Sequence, residues 1–215
     1  MAQLIAVSGT QGSGKSTLIK ALSGDRLTTF IKGHFVYFDH FKVSRSVQAK
    51  LGWTLANAID DIERVIQFQE LIYDQKLRHD IVLADKAEDI DFVFVERSFI
   101  DIAAYTVLWF EQQMDKTVHQ HWMWLETYLN KCAEAQKIYD GIIIIPKHPE
   151  IAIEQDPHRA SSELNNKYEK VFQNKYLDFC QRNNHLQPFV NILDLDLKLR
   201  MDKTIHFLDS LPNRN

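Results

Sequence analysis

The octapeptide GTQGSGKS, Gly9 to Ser16, stands between the apolar run LIAV (Leu4 to Val7) and the helical pattern TLIKAL, and it is the stretch that most narrows the folds open to this chain. Its spacing is G-x-x-x-x-G-K-[ST], filled by Gly9, Gly14, Lys15 and Ser16. In such a loop successive backbone N–H groups point at the β- and γ-phosphates, the lysine reaches the terminal ones and the serine hydroxyl ligates Mg²⁺. The helix that follows presents its positive end to the same anion. A glycine-rich turn between strand and helix is the plainer alternative. Three of the seven glycines fall inside these eight residues, and the flanking strand and helix are those a phosphate cradle requires. Gly9, Gln11, Gly12, Ser13, Gly14, Lys15, Ser16 and Thr17 are therefore the expected ATP contacts, with Ser16 also facing the metal.

The remaining elements alternate. HFVYFDHF reads as a second strand centred on Val36 to Phe38, with Asp39 at its carboxyl end. From about Trp53 to Ala87 apolar residues recur at three- and four-residue spacing, which predicts one long helix or two joined ones. DFVFVERS is a third strand, FIDIAAYTVLWFEQQ opens a helix, and Gln120 to Gln136 is helical by pattern. GIIIIP is a continuous apolar run suited to a strand buried on both faces. FVNILDLD reads as the last strand and LKLRMDKTIHFL as the last helix. This order predicts an α/β fold, a three-layer sandwich with a five-stranded parallel sheet flanked by helices, its ligands at the carboxyl ends of the strands. One domain over 1–215 is expected, with a mobile lid at about 146–160, where three of the five prolines fall.

Composition excludes several classes. A net charge of −4 gives no global pull toward nucleic acid or an anionic membrane. Cys132 and Cys180 lie far apart without metal-ligand spacing and read as reduced thiols. His119 and His121 are two apart and do not share a helix face, so a zinc site is not expected. No apolar run approaches membrane-spanning length, and the strand beginning at Leu4 leaves no room for a leader. A cytoplasmic protein is the expectation.

The other strand ends supply candidate chemistry. Asp39 is placed either as a general base for an acceptor hydroxyl or as a helix N-cap. The apolar strand VFV ends in Glu96, Arg97 and Ser98. Glu96 there can order Mg²⁺ and Arg97 can stabilise a transferring phosphoryl group. A salt-bridged helix start capped by Ser98 is the other reading. Lys42 and Arg45, just past Asp39, suit an acidic or phosphorylated acceptor or a solvated helix start. Gln69 lies on the apolar stripe of Ile62, Val65, Ile66, Ile72 and Tyr73, where its amide needs either a nucleobase edge or a backbone partner. Arg159, in the proline-flanked segment, suits either a charge swung over the γ-phosphate or a solvated loop.

Taken with the glycine-rich loop, ERS after an apolar strand with Asp101 and Tyr105 on the next helix resembles deoxynucleoside kinases and their thymidylate-kinase relatives. The resemblance implies that Glu96 and Arg97 serve the metal and phosphates. It also implies that Asp101 holds the substrate-contacting arginine or the sugar, and that Gln69, in VIQFQELIY, reads a base. HPEIAIEQDPHR and NILDLDLKLR are similar to the lid and final strand of nicotinamide riboside kinase-like enzymes, which implies lid roles for Glu154, Asp156 and Arg159. In that likeness Asp194, Asp196 and Arg200 lie beside the ATP base. The chain departs from it in carrying Pro157 and Leu195 where glycine is common, and Arg159 as the lone lid arginine.

The expected function is transfer of the γ-phosphate of ATP, with Mg²⁺, to a nucleoside, nucleotide or similar small acceptor. A hydroxyl within nucleic acid is an alternative acceptor, for which Lys42, Arg45 and Lys50 are the nearest basic residues. A P-loop ATPase or switch is the competing class. GTPases carry N-K-x-D, which NNKYE does not complete, and an AAA-type ATPase carries two adjacent acids after its strand, which Glu96-Arg97 does not match. A homodimer stays among the open assembly states.

Overall fold

A computed structural model of the chain describes residues 2–22, 35–38, 40–54, 60–86, 91–147, 162–183 and 187–212. The elements run β1 (Gln3–Ser8), α1 (Lys15–Leu22), β2 (Phe35–Phe38), α2 (His40–Leu51), α3 (Ile62–Lys86), β3 (Phe92–Glu96), α4 (Phe99–Gln112), α5 (His119–Gln136), β4 (Gly141–Ile144), α6 (Ser162–Asn183), β5 (Phe189–Asn191) and α7 (Leu197–Ser210). The five strands form one sheet in the order β2-β3-β1-β4-β5, and every neighbouring pair is parallel. The expected fold class therefore holds, although the lid expected at 146–160 lies almost wholly outside the described residues.

Alternation along the central strands sorts their side chains into two cores even though the strands read as continuous apolar runs. Leu4 and Ala6 of β1, with Val93, Val95 and Ile142, pack against α2 to α6 in a core rich in aromatics. Ile5 and Val7, with Phe92, Phe94 and Ile143, pack against Leu18, Ile19 and Leu22 of α1 and Phe207, Leu208 and Leu211 of α7. This makes the three layers.

Strand β1 is central, and later strands are added on both of its sides. A crevice opens at the carboxyl ends of the strands at such a position. The register Val7↔Glu96 brings the ends of β1 and β3 level, and Ser8↔Ile144 does the same for β4. The last strand is shorter than its alternating sequence suggests, because the Asp196 side chain accepts from Leu199 N at 2.9 Å and starts α7. Leu193, Leu195 and Leu199 are consequently exposed.

Candidate active site

The loop after β1 adopts a conformation that its glycines make accessible. Gly9, Gly12 and Gly14 have φ of 137°, 77° and 93°, where an L side chain is strained. Gly9 has a second reason: a Cβ there would come within 2.0 Å of the Ile145 carbonyl oxygen at the end of β4. At Gly14 the equivalent atom would meet the Arg200 guanidinium at 2.6 Å. Arg200, from α7, donates to Ser13 O at 2.8 Å and also to Asp194 O, so it buttresses the back of the loop.

Lys15 opens α1 and is buried, its Nζ donating to Thr10 O at 2.6 Å with Glu96 Oε1 at 3.7 Å. Burial, reinforced by the Arg97 charge, pushes its ammonium down to about 7. Ser16 Oγ donates to Glu96 Oε2 at 3.1 Å. One carboxylate at the end of β3 thus gathers the lysine and the serine of the motif. The hydroxyls of Thr10 and Ser13 are buried without a hydrogen-bond partner. Orphaned donors in a glycine cradle with a buried ammonium are the chemistry a polyphosphate satisfies, so the residues fit such a ligand.

Arg97 is the one non-glycine residue with positive φ, 73°, among those described. A side chain in that region persists only where its surroundings hold it. Here Arg97 N donates to Val7 O at 2.9 Å, and one terminal nitrogen donates to Gly9 O at 2.6 Å and Asp101 Oδ1 at 3.2 Å. The guanidinium also lies over the rings of Tyr105 and Tyr168, 5.1 and 5.9 Å from their centroids. Asp101 in turn is fully buried. It accepts from Ser8 Oγ at 2.6 Å, Ser98 N at 2.7 Å, Ser98 Oγ at 2.8 Å, Gly9 N at 3.4 Å and the Tyr168 hydroxyl. Burial alone would raise this carboxyl, but Arg97 and the hydrogen bonds from Ser8, Tyr168 and Ser98 outweigh it and hold Asp101 below the ordinary carboxylate range. Ser98 and Asp101 form the capping box of α4, so the helix start and the arginine support are one structure.

Of the other residues singled out from the sequence, Gln69 is buried on α3, and its backbone carbonyl accepts from Tyr128 OH at 3.0 Å. Arg45 is exposed on α2, as is Lys50. Asp39, the side chain of Lys42, Arg159, Glu154 and Asp156 lie outside the described residues. The sequence reading passed over Tyr168, which joins α6 to Asp101, and Lys76, a buried lysine behind β3. Each carried a signal. Tyr168, Phe172, Tyr176 and Phe179 recur at helical spacing, and Lys76 and Asp80 continue the stripe of Val65, Gln69 and Ile72.

The family model for the AAA domain matches residues 4–193. The chain belongs to that family. No curated protein sequence matches the chain. Among solved structures it is similar to NadR protein in complex with NR, at 18% identity and a TM-score of 0.61, over 99% of this chain and 53% of that one. Deoxyadenosine kinase from M. mycoides is 15% identical with a TM-score of 0.57, covering 97% of this chain and 100% of that one. Thymidylate kinase from Candida albicans is 13% identical with a TM-score of 0.62, covering 97% and 92%. This chain therefore spans about half the length of the NadR chain and nearly all of the two kinases. The fold is that of P-loop nucleoside and nucleotide kinases.

Proposed function

We propose that the chain is a single-domain Mg²⁺-dependent phosphotransferase moving the γ-phosphate of ATP to a hydroxyl or phosphate of a nucleoside, nucleotide or similar small acceptor. The observation that carries this reading is the convergence of Lys15 and Ser16 on Glu96, with Arg97 held in a strained conformation beside Gly9. The relatives' ligands support it. One NadR structure holds NR, another NAD and AMP-PNP, and the deoxyadenosine kinase structure holds dCMP and dCDP.

In this reading Gly9 to Thr17 cradle the triphosphate through backbone N–H groups, and Lys15 releases Thr10 O to meet the terminal phosphates. Ser16 and Glu96 are the residues that would hold Mg²⁺. Held there, Mg²⁺ would supply neutralisation of the charge that develops on the transferring phosphates. Arg97, held by Asp101, supplies fixed positive charge at the loop, worth most in a water-excluded site. Arg200 keeps the loop's shape from behind. Asp39 is the proposed base, Gln69 with Lys42 and Arg45 the acceptor side, and Arg159 the lid charge.

The test is ADP release from Mg²⁺ and ATP with pooled nucleosides, nucleoside monophosphates, nicotinamide riboside or DNA offered in turn. Stimulation by a small-molecule pool supports the proposal and names the acceptor class; stimulation by DNA alone, or hydrolysis indifferent to every pool, refutes it. In Asp39→Asn, transfer is expected to vanish with ATP binding retained, whereas joint loss of ATP affinity would remove Asp39 as the base.

A further inference from the structure

Lys76 and Asp80 are fully buried, one turn apart on α3. Lys76 Nζ lies 2.9 Å from Asp80 Oδ2 and 5.8 and 5.7 Å from the ring centroids of Phe99 and Tyr139. Tyr139 OH donates to the same Asp80 oxygen at 2.6 Å, while Asp80 Oδ1 is buried without a hydrogen-bond partner. An arrangement selected for stability alone would not look like this. A buried ion pair returns little beyond its desolvation cost even when every atom is satisfied, and here one carboxylate oxygen is not.

The remaining contact of Lys76 indicates what the pair does. Its Nζ also donates to Glu96 O at 3.5 Å. That carbonyl belongs to the peptide joining Glu96, whose carboxylate gathers Lys15 and Ser16, to Arg97, whose φ is 73°. The ladder with β2 ends one residue earlier, at Phe38↔Val95. The N–H of this peptide donates to Val7 O at 2.9 Å, and the ammonium holds its carbonyl side at the point where the strand gives way to the left-handed turn. The orientation of this peptide is set by ψ of Glu96 and φ of Arg97, so an uncompensated change in either torsion would redirect the Arg97 side chain relative to that of Glu96. Asp80 and Tyr139 hold the ammonium in place from the far side.

We infer that Lys76, held by Asp80 and Tyr139, is a positioning residue that orients the Glu96–Arg97 turn toward the metal and phosphates; this rests on the reading of the site proposed above. It touches neither nucleotide nor metal. Its action runs through one backbone carbonyl.

Lys76→Met alone would leave the Asp80 charge buried and unpaired, and a folding defect there would say nothing about positioning. The informative variants are two neutral pairs of similar size, Lys76→Met with Asp80→Asn and Lys76→Gln with Asp80→Asn. In both, the amide that Asp80→Asn introduces keeps an acceptor for Tyr139, but only Lys76→Gln offers the Glu96 carbonyl a donor. The readout is ATP affinity by calorimetry in EDTA and in Mg²⁺, which needs no acceptor. For the pair with Lys76→Met the gain in affinity that Mg²⁺ confers should fall by about tenfold, the scale on which loss of an outer partner weakens a metal site, with affinity in EDTA within about twofold of wild type. The pair with Lys76→Gln should recover most of that gain. Equal Mg²⁺ gains in wild type and both pairs, or equal losses in both, overturn the positioning role. If only the pair with Lys76→Gln folds, a Mg²⁺ gain no better than that of Glu96→Gln overturns it. Absence of ATP binding in wild type would instead refute the nucleotide reading.

Discussion

The two faces of the sheet are built differently. The face toward α1 and α7 is closed mainly by aliphatic side chains and Phe92, Phe94 and Phe207, and its principal polar reach toward the phosphate loop is Arg200 on Ser13 and Asp194. The face toward α2 to α6 carries Lys76, Asp80, Asp101 and Tyr168, all buried and joined by hydrogen bonds that end at Glu96, Arg97, Ser8 and Gly9. One face supports the loop as a packed wall. The other fixes individual side chains at the strand ends, and buried polar groups of that kind specify a geometry more than they stabilise it. The side chains at the end of β3 are thus held mainly from one side of the sheet, while α1 brings Lys15 and Ser16 to Glu96 from the other.

This contrast is open to direct attack. The largest effect should come from pairing Asp101→Asn on the wired face with Phe207→Ala on the apolar one. Both are expected to lose about 3 kcal/mol or more of stability, the first by stranding the buried Arg97 charge and the second by opening a cavity. Only Asp101→Asn should also lower turnover of the folded fraction, by about a hundredfold, since it releases the arginine. Denaturant titration beside kcat and KM measurements separates the two, and equal turnover in both variants would erase the distinction between the faces.

A smaller change isolates one hydroxyl. Tyr168→Phe keeps the ring under Arg97 but removes the donor to Asp101, and it should cost about 1 kcal/mol of stability with kcat reduced about tenfold and KM for ATP nearly unchanged. An unchanged kcat would confine Tyr168 to packing.

The smallest effect is a proton. Because burial pushes Lys15 down to about 7, the free protein at pH 8 holds it mostly neutral, and a polyphosphate brought beside it restores the charge. ATP binding at pH 8 should then take up about one proton, seen by calorimetry in buffers of different ionisation enthalpy and absent in Lys15→Met. The sign carries over to stability. With the folded value below the unfolded one, the cost of burying this charge is fully present below pH 7 and relieved as pH rises above it. Protein whose ATP binding releases protons at pH 8 would contradict this environment for Lys15.

Much of this architecture was legible because it follows from local patterns. GIIIIP and VFVE read as buried strands, the cradle followed from its glycines, and α3, α4, α5 and α7 lie where apolar spacing predicts them. Glu96 and Arg97 were marked by an apolar strand ending in charge. What escaped was identity by burial. Lys76 and Asp80 fall on the stripe of Val65, Gln69 and Ile72, but their charges, one helical turn apart, read as a solvated ion pair, and packing against Phe99 and Tyr139 is what takes them out of water. The helix bearing Tyr168 is not among the elements read from apolar spacing, because its polar opening, SELNNK, conceals an aromatic stripe. The alternation in ILDLDL misled in the other direction, suggesting strand where Asp196 starts a helix. A side-chain cap outweighs a period-two pattern when no neighbouring strand is there to reward it.

The most direct test compares acceptor-stimulated ADP release by wild type and Lys15→Ala, with folding of both checked by circular dichroism. Loss of at least about a hundredfold in a folded variant is the expected result, since fixed charge at transferring phosphates is worth several kcal/mol. Near-normal turnover without Lys15 would contradict phosphoryl transfer at this cradle.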